Sequence, residues 1–372
     1  MIDRSVAWVS QVERGVRKVD RMSVLETVAT ALDIPLAELA AEAPVVAAVT
    51  EEAPGASGLR LVLSGAHALQ AMLDGPRAPA VSTLRTRTRK AWELTHGGRY
   101  AELTELLGGL VPDLETAART VPDDQRADAF ELLATTYQAC SAALSKIGET
   151  DAAWIAADRA MAAAERADNP MLVAAGAFRL VFVFIAAHHY DQAEETARTA
   201  AAALRRRADE GDSQAMSLLG GLTLQRAVIA ARVNNADTAY SELDQARQVA
   251  DRLGDHRNEF NTEFGPTNVR LYEISVAVDL GDAGRALRAA ANVNMTRLSA
   301  ERQGRTLLDV ARAHTQRRQV GEAVATLVQA EGIAPELIRG HNLTRQLVSD
   351  LLTMQDPPGR ELRGLAERLG NG

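Results

Sequence analysis

Beyond residue 59 the chain returns six times to one pattern: an alanine- and leucine-rich helical stretch, a small or polar turn, and a second helix with alanine or leucine at a fixed offset. The clearest returns read GETDAAWIAADRAMAAAE, HHYDQAEETARTAAAAL, NNADTAYSELDQARQVA, GDAGRALRAAANV and RQVGEAVATLVQAEGIAP. Apolar positions recur at helical spacing and β-branched alternation is nearly absent, so no sheet is expected. Aligned on the first small residue of each second helix, the repeats bring Leu103, Ala153, Ala193, Ala239, Ala286 and Ala323 into register, at spacings of 50, 40, 46, 47 and 37. Small residues also recur on the first helices, at Ala91, Ser141, Ala227 and Ala311, and further along the second helices, at Ala160, Ala200, Ala246 and Ala330. Val181, Ile274 and Val293 are bulkier at the matching positions. Two antiparallel helices reach the short end of the ~8 to 10 Å interaxial range only where the contact stripe lacks bulk. Each hairpin would leave a second apolar face that only the next can cover, so the hairpins should stack into a curved solenoid. An alanine-rich bundle without repeat logic is the plainer alternative.

At 372 residues and 47% hydrophobic, the chain can bury an extensive core and exceeds one ordinary domain. Its formal charge of -8 argues against a surface coated for non-specific nucleic-acid binding, which needs clustered Lys and Arg. A local basic cluster does occur near the amino terminus, where Arg4, Arg14, Arg17, Lys18 and Arg21 outnumber Asp3, Glu13 and Asp20. Cys140 is the only cysteine, which excludes an intrachain disulfide and fits a reducing, cytoplasmic setting. The most apolar stretch, residues 171–187, is shorter than the ~20 residues of a membrane helix and is interrupted by Arg179. It reads as a buried helix, and no membrane partner is expected.

The opening residues carry a second signal. Residues 5–15, SVAWVSQVERG, combine a serine cap, small and apolar residues at helical spacing, the pair Ser10 and Gln11, and a closing glycine. Ser23 with Glu26 three residues later forms a capping box, Leu25, Val28, Ala29 and Leu32 share one face, and Pro35 stops the helix. Together these segments resemble the last three helices of a five-helix Cro/C1-type (XRE) DNA-binding domain, over residues 1–40. The resemblance implies that Ser5, Ala7, Trp8, Ser10 and Gln11 face bases of double-stranded DNA, and that Arg14, Arg17 and Lys18 meet phosphates. The two helices that precede this one in the family have no counterpart in residues 1–3, so the expectation is an upstream start or a loosely packed head that binds DNA poorly. Residues 41–58, with prolines, glycines and no sustained period, read as a linker.

The hairpins of residues 59–372 resemble tetratricopeptide repeats, although their spacing exceeds the ideal ~34. The resemblance implies an all-α chain, a partial helix-turn-helix head followed by an α-solenoid of about six hairpins. It also implies a concave groove built from the first helices. Carried onto this sequence, that groove takes Arg85, Trp92 and His96 from the first repeat, Gln138 and Lys146 from the second, and Phe178, Phe182 and Ile185 from the third. Leu224, Val228 and Arg232 come from the fourth, Asn268 and Leu271 from the fifth, and Arg305, Arg312 and Gln316 from the sixth. A greasy middle with cationic ends suits a short peptide or small acidic ligand, or a partner protein, while Phe178, Phe182 and Ile185 could equally be core. Residues 258–273, the one polar, glycine- and proline-broken stretch in the body, would be a lip on the groove or a plain connector.

Catalytic signals are poor. His188 and His189 are adjacent and would point apart on a helix, Cys140 fits a packing slot, and no HExxH, GxSxG, CxxC or phosphate-loop pattern occurs. No enzyme activity, cofactor or metal is expected. The order of parts resembles bacterial regulators, peptide-sensing quorum regulators among them, in which a repeat domain senses a signal and controls paired heads, which implies a homodimer. A repeat module for protein interactions with a vestigial head is the competing expectation.

Overall fold

The computed structural model describes residues 12, 28, 29, 31, 32, 56–64, 73, 79–255, 257–355 and 357–369. The expected DNA-facing set Ser5, Ala7, Trp8, Ser10, Gln11, Arg14, Arg17 and Lys18 lies outside the described residues. Among them, every regular element is helical: α1 (Ala56–Val62), α2 (Val81–Gly97), α3 (Tyr100–Thr120), α4 (Asp123–Lys146), α5 (Thr150–Arg166), α6 (Pro170–Ala186), α7 (Tyr190–Asp209) and α8 (Ser213–Arg232) come first. They are followed by α9 (Ala236–Leu253), α10 (Pro266–Asp279), α11 (Ala283–Ala290), α12 (Ala300–Gln316), α13 (Val320–Ile333), α14 (Pro335–Gly340), α15 (Asn342–Met354) and α16 (Arg360–Arg368). Helix α1 starts inside the segment read as linker. Helices α2 to α13 are the six expected hairpins, and no helix among the described residues is long and apolar enough to cross a membrane.

One turn closes all six hairpins. Gly98, Gly148, His188, Asn234, Gly281 and Arg318 adopt left-handed φ values of 66°, 84°, 62°, 62°, 82° and 59°. The amide of the following residue donates back to the carbonyl five residues earlier, as from Glu149 to Leu144 and from His189 to Phe184. This pairing satisfies carbonyls that the end of a helix leaves free. In every hairpin the left-handed residue stands five positions before the aligned Leu103, Ala153, Ala193, Ala239, Ala286 or Ala323, and each of those is fully buried. The turn therefore sets the register in which the second helix presents its small residue to the first. Side chains begin several helices: Asn169 accepts from the amides of Met171 and Leu172, Asp212 from Gln214 and Ala215, and Asp282 from Arg285.

The bulkier residues are tolerated unevenly. Val181 and Ile274 are fully buried, so the third and fifth hairpins accommodate them without losing contact. In the third hairpin the buried alanine is Ala201 rather than Ala200, which is only half-covered. Val293 lies beyond the end of α11, an eight-residue helix, and packs against the fifth hairpin's core from outside the helix.

The expected open curve closes on itself. Each first helix packs on the next in the order α2, α4, α6, α8, α10, α12, and α12 packs back on α2. The second helices lie against this ring. Closure is reinforced by contacts between distant residues: Lys146 Nζ on α4 lies 2.7 Å from Glu301 on α12, and the Ala101 amide donates to Glu336 on α14 at 2.9 Å. Helices α15 and α16 cover the last hairpin through Leu347, Val348, Leu351, Leu362 and Leu365. Glu331 of α13 pairs there with Arg339 at 2.8 Å and Arg368 at 2.7 Å.

Candidate functional site

Because the first helices form a ring, the expected groove is its interior. Trp92, Gln138, Phe178, Leu224, Asn268 and Leu271 are all buried, while Arg85, Phe182, Ile185, Val228, Arg232 and Arg305 keep exposed surface. Leu224 packs in the fourth hairpin's own core with Ala227, Ala239 and Phe264. Phe178 meets Phe182 edge-on at 5.1 Å, and Phe182 and Ile185 pack against the third hairpin's core.

The arginines expected to wait for ligand carboxylates are paired with acids of this chain. Arg85 binds Asp128 at 2.7 Å and Arg232 binds Asp279 at 2.8 Å. Arg312 holds Asp279 at 2.8 Å and Asp309 at 2.9 Å, and Arg305 lies 3.7 Å from Glu301. Burial disfavours the Arg312 cation, but Asp279 and Asp309 outweigh it and raise its pKa above the usual arginine value. Asn268 accepts from Arg302, a residue the repeat pattern did not single out.

The polar stretch read as a lip on the groove or a plain connector enters the ring. Between α9 and α10, Phe260 and Asn261 present their carbonyls to Arg179 Nη2 at 3.1 and 2.9 Å. Arg302 donates to the Thr262 carbonyl at 2.8 Å and to Glu263 at 2.5 Å, and His96 lies 3.2 Å from Glu263. Burial alone would raise the Glu263 pKa, but the Arg302 cation and His96 hold it well below the usual carboxylate range. Phe264 anchors the far end of the segment, fully buried against Gly220, where a Cβ would overlap its ring. The segment thus ties the first, third and sixth first helices together from inside.

Arg179 is the group that sequence reasoning undervalued. It registered only as a break in an apolar run, yet its guanidinium lies over the ring of Trp92 at 4.8 Å and over that of Phe178 at 5.0 Å. Trp92 is itself held by His96, at a ring separation of 5.4 Å, and by an Nε1 hydrogen bond to the Thr135 carbonyl. Burial pushes the Arg179 pKa down to about 10. His341, near Arg305 and Arg312, is pushed down to about 4, first by burial and then by those cations. A separate cleft of about 190 Å³ opens between α3, α4 and α5, lined by Phe130, Tyr137, Arg159 and Arg166 among others.

No family model matches the chain. No curated protein matches it in sequence either. Among solved structures it is similar to a Rap protein complexed with Competence and Sporulation Factor, with a TM-score of 0.43 and 12% identity over 78% of this chain and 93% of that one.

Proposed function

We propose that this chain is a non-enzymatic, cytoplasmic transcription regulator whose ring of hairpins senses a peptide or small acidic ligand, and whose residues 1–40 read double-stranded DNA in a homodimer. The observation that carries the sensing part is the charge of the ring interior. Lys146, Arg179, Arg232, Arg302, Arg305 and Arg312 stand on the first helices, the acids paired with five of them are Glu263, Asp279, Glu301 and Asp309, and Arg179 is left without an acid partner among the described residues, in a chain whose net charge is -8. A cationic surplus enclosed by low-dielectric walls concentrates anions. Support for the DNA-reading part is the motif of residues 5–15 with its flanking arginines and lysine.

The mechanism is a population shift. A ligand that binds one curvature of the ring better than another moves the spacing of the two heads toward or away from the ~34 to 36 Å of one DNA turn. An electrophoretic shift assay of the full chain with genomic fragments, with and without a peptide pool, tests it. The expected result is selection of a fragment and a change in its retention when peptide is added. If neither the full chain nor a version extended upstream selects any fragment, the DNA-reading part is lost. The reading as an interaction module then takes its place, favoured by the exposed Trp154 and Ile155 on α5.

A further inference from the structure

Arg179 is only 8% exposed, and among the described residues no carboxylate lies within ion-pair distance of it. Its Nε is buried without a hydrogen-bond partner, while Nη2 on the same edge is met by two backbone carbonyls. The Nε and Nη2 pair is the side of a guanidinium that grips a carboxylate with two parallel bonds. The groups that sit on it are uncharged and do not use Nε. They also come from an unfavourable backbone: Phe260, Asn261 and Glu263 have left-handed φ values of 50°, 55° and 48°, a region where only asparagine of the three is at ease. The guanidinium carbon also lies over the rings of both Trp92 and Phe178, at 4.8 and 5.0 Å from their centroids, so the cation is held in place by aromatic contacts as well as by the two carbonyls.

We propose that Arg179 is the anchor of a binding site for a carboxylate-bearing ligand inside the ring, and that residues 258–264 occupy it as a competing internal partner. The inference rests on the reading of the ring as a sensor and names the chemistry that sensor recognises. A ligand carboxylate exchanges two neutral acceptors for a charged one that also engages Nε. The displaced segment releases its three left-handed residues at the same time. Because that segment also contacts His96 and Arg302, its displacement loosens the junction between the first and sixth hairpins, which couples occupancy to ring curvature.

The test uses the full chain carrying Trp8→Phe and Trp154→Phe, so that Trp92 alone reports by fluorescence. Three pools of hexapeptides with neutral side chains serve as probes: one with a free carboxyl terminus, one amidated, and one amidated with a single internal glutamate. Either or both carboxylate pools should shift Trp92 emission while the neutral amidated pool does not, and which of them acts identifies the source of the carboxylate. Arg179→Gln should weaken that binding ~10- to 100-fold, the range for a charge-assisted hydrogen bond. Phe260→Ala, which loosens the competing segment, should tighten it. Equal binding of all three pools overturns the anchor while leaving the sensor reading intact, and this comparison needs no change at Arg179, so it holds even where Arg179→Gln does not fold. If no pool binds the Trp92-reporting chain or its Phe260→Ala form, both the anchor and the sensor reading fall.

Discussion

Replacing Glu301 with glutamine removes the charge that joins the second hairpin to the sixth, and its cost follows from the geometry of the pair. The Glu301 side chain is 2% exposed and that of Lys146 is 19% exposed, at a separation of 2.7 Å. With an effective dielectric constant of ~20 the direct attraction is about 6 kcal/mol, from which the desolvation of both groups must be subtracted. Removing one partner leaves the other charge stranded, and breaking such a buried pair costs about 3 to 5 kcal/mol. Cys140 supplies a local readout, since it lies on α4 with Lys146, is fully buried, and has a thiol that burial pushes up to about 12. Its labelling by a maleimide requires opening, and where reclosing is fast the rate follows the open population. A loss of 3 kcal/mol therefore raises the labelling rate on the order of 100-fold. Lys146→Met should do the same, and the double variant Lys146→Met with Glu301→Leu should recover most of the protection, because an apolar pair strands no charge. If the effects of Lys146→Met and Glu301→Leu, each measured alone, simply add in the double variant to within ~0.5 kcal/mol, the two groups do not interact and the ring is not held at that seam.

Three further outcomes follow from the packing and the charges. Gly220→Ala should destabilise by about 1 to 3 kcal/mol in urea melts, because the added methyl overlaps the buried Phe264 ring; an unchanged midpoint would mean that Phe264 is free to move. Arg318→Gly should stabilise by about 0.5 to 1 kcal/mol, as glycine takes the left-handed turn that an exposed arginine occupies at φ 59°; a lower midpoint would contradict the turn assignment. Stability should also fall as pH drops from 6.5 to about 4. The unfolded chain protonates His341 near 6.5, whereas the folded chain holds it neutral to about 4, a loss of about 3 kcal/mol. Glu263, Glu301 and Glu331, whose folded pKa values are depressed, add to the loss only below the ordinary glutamate value of 4.5. His341→Asn, which can still accept the Leu343 amide, should flatten the upper part of that profile, and a slope unchanged by the substitution would refute the assignment.

The hairpins were legible because their determinants are local. A small residue at a fixed offset from a turn makes one helix pair, and the aligned alanines proved to be the fully buried contacts. One clue went unread: the residue five places before each aligned position is glycine in three hairpins and asparagine in a fourth, types that take left-handed φ readily. The candidate site was legible only in part. Trp92, Gln138, Phe178 and Asn268 are buried on the first helices, but nothing near Arg85, Arg232 or Arg312 in sequence announces Asp128 or Asp279 as their partners.

By itself, the sequence determined an all-helical body of six alanine-seamed hairpins, because helical period, capping and turn conformation act over a few residues. Tertiary structure alone decided that the hairpins close into a ring, that residues 258–264 turn inward, and that Arg179 becomes a buried cation in contact with two aromatic rings. The physical reason is cumulative geometry. The contacts of His96 with Glu263 and of Lys146 with Glu301 join residues more than 150 positions apart, and they exist only once the small rotation at every hairpin junction has added up.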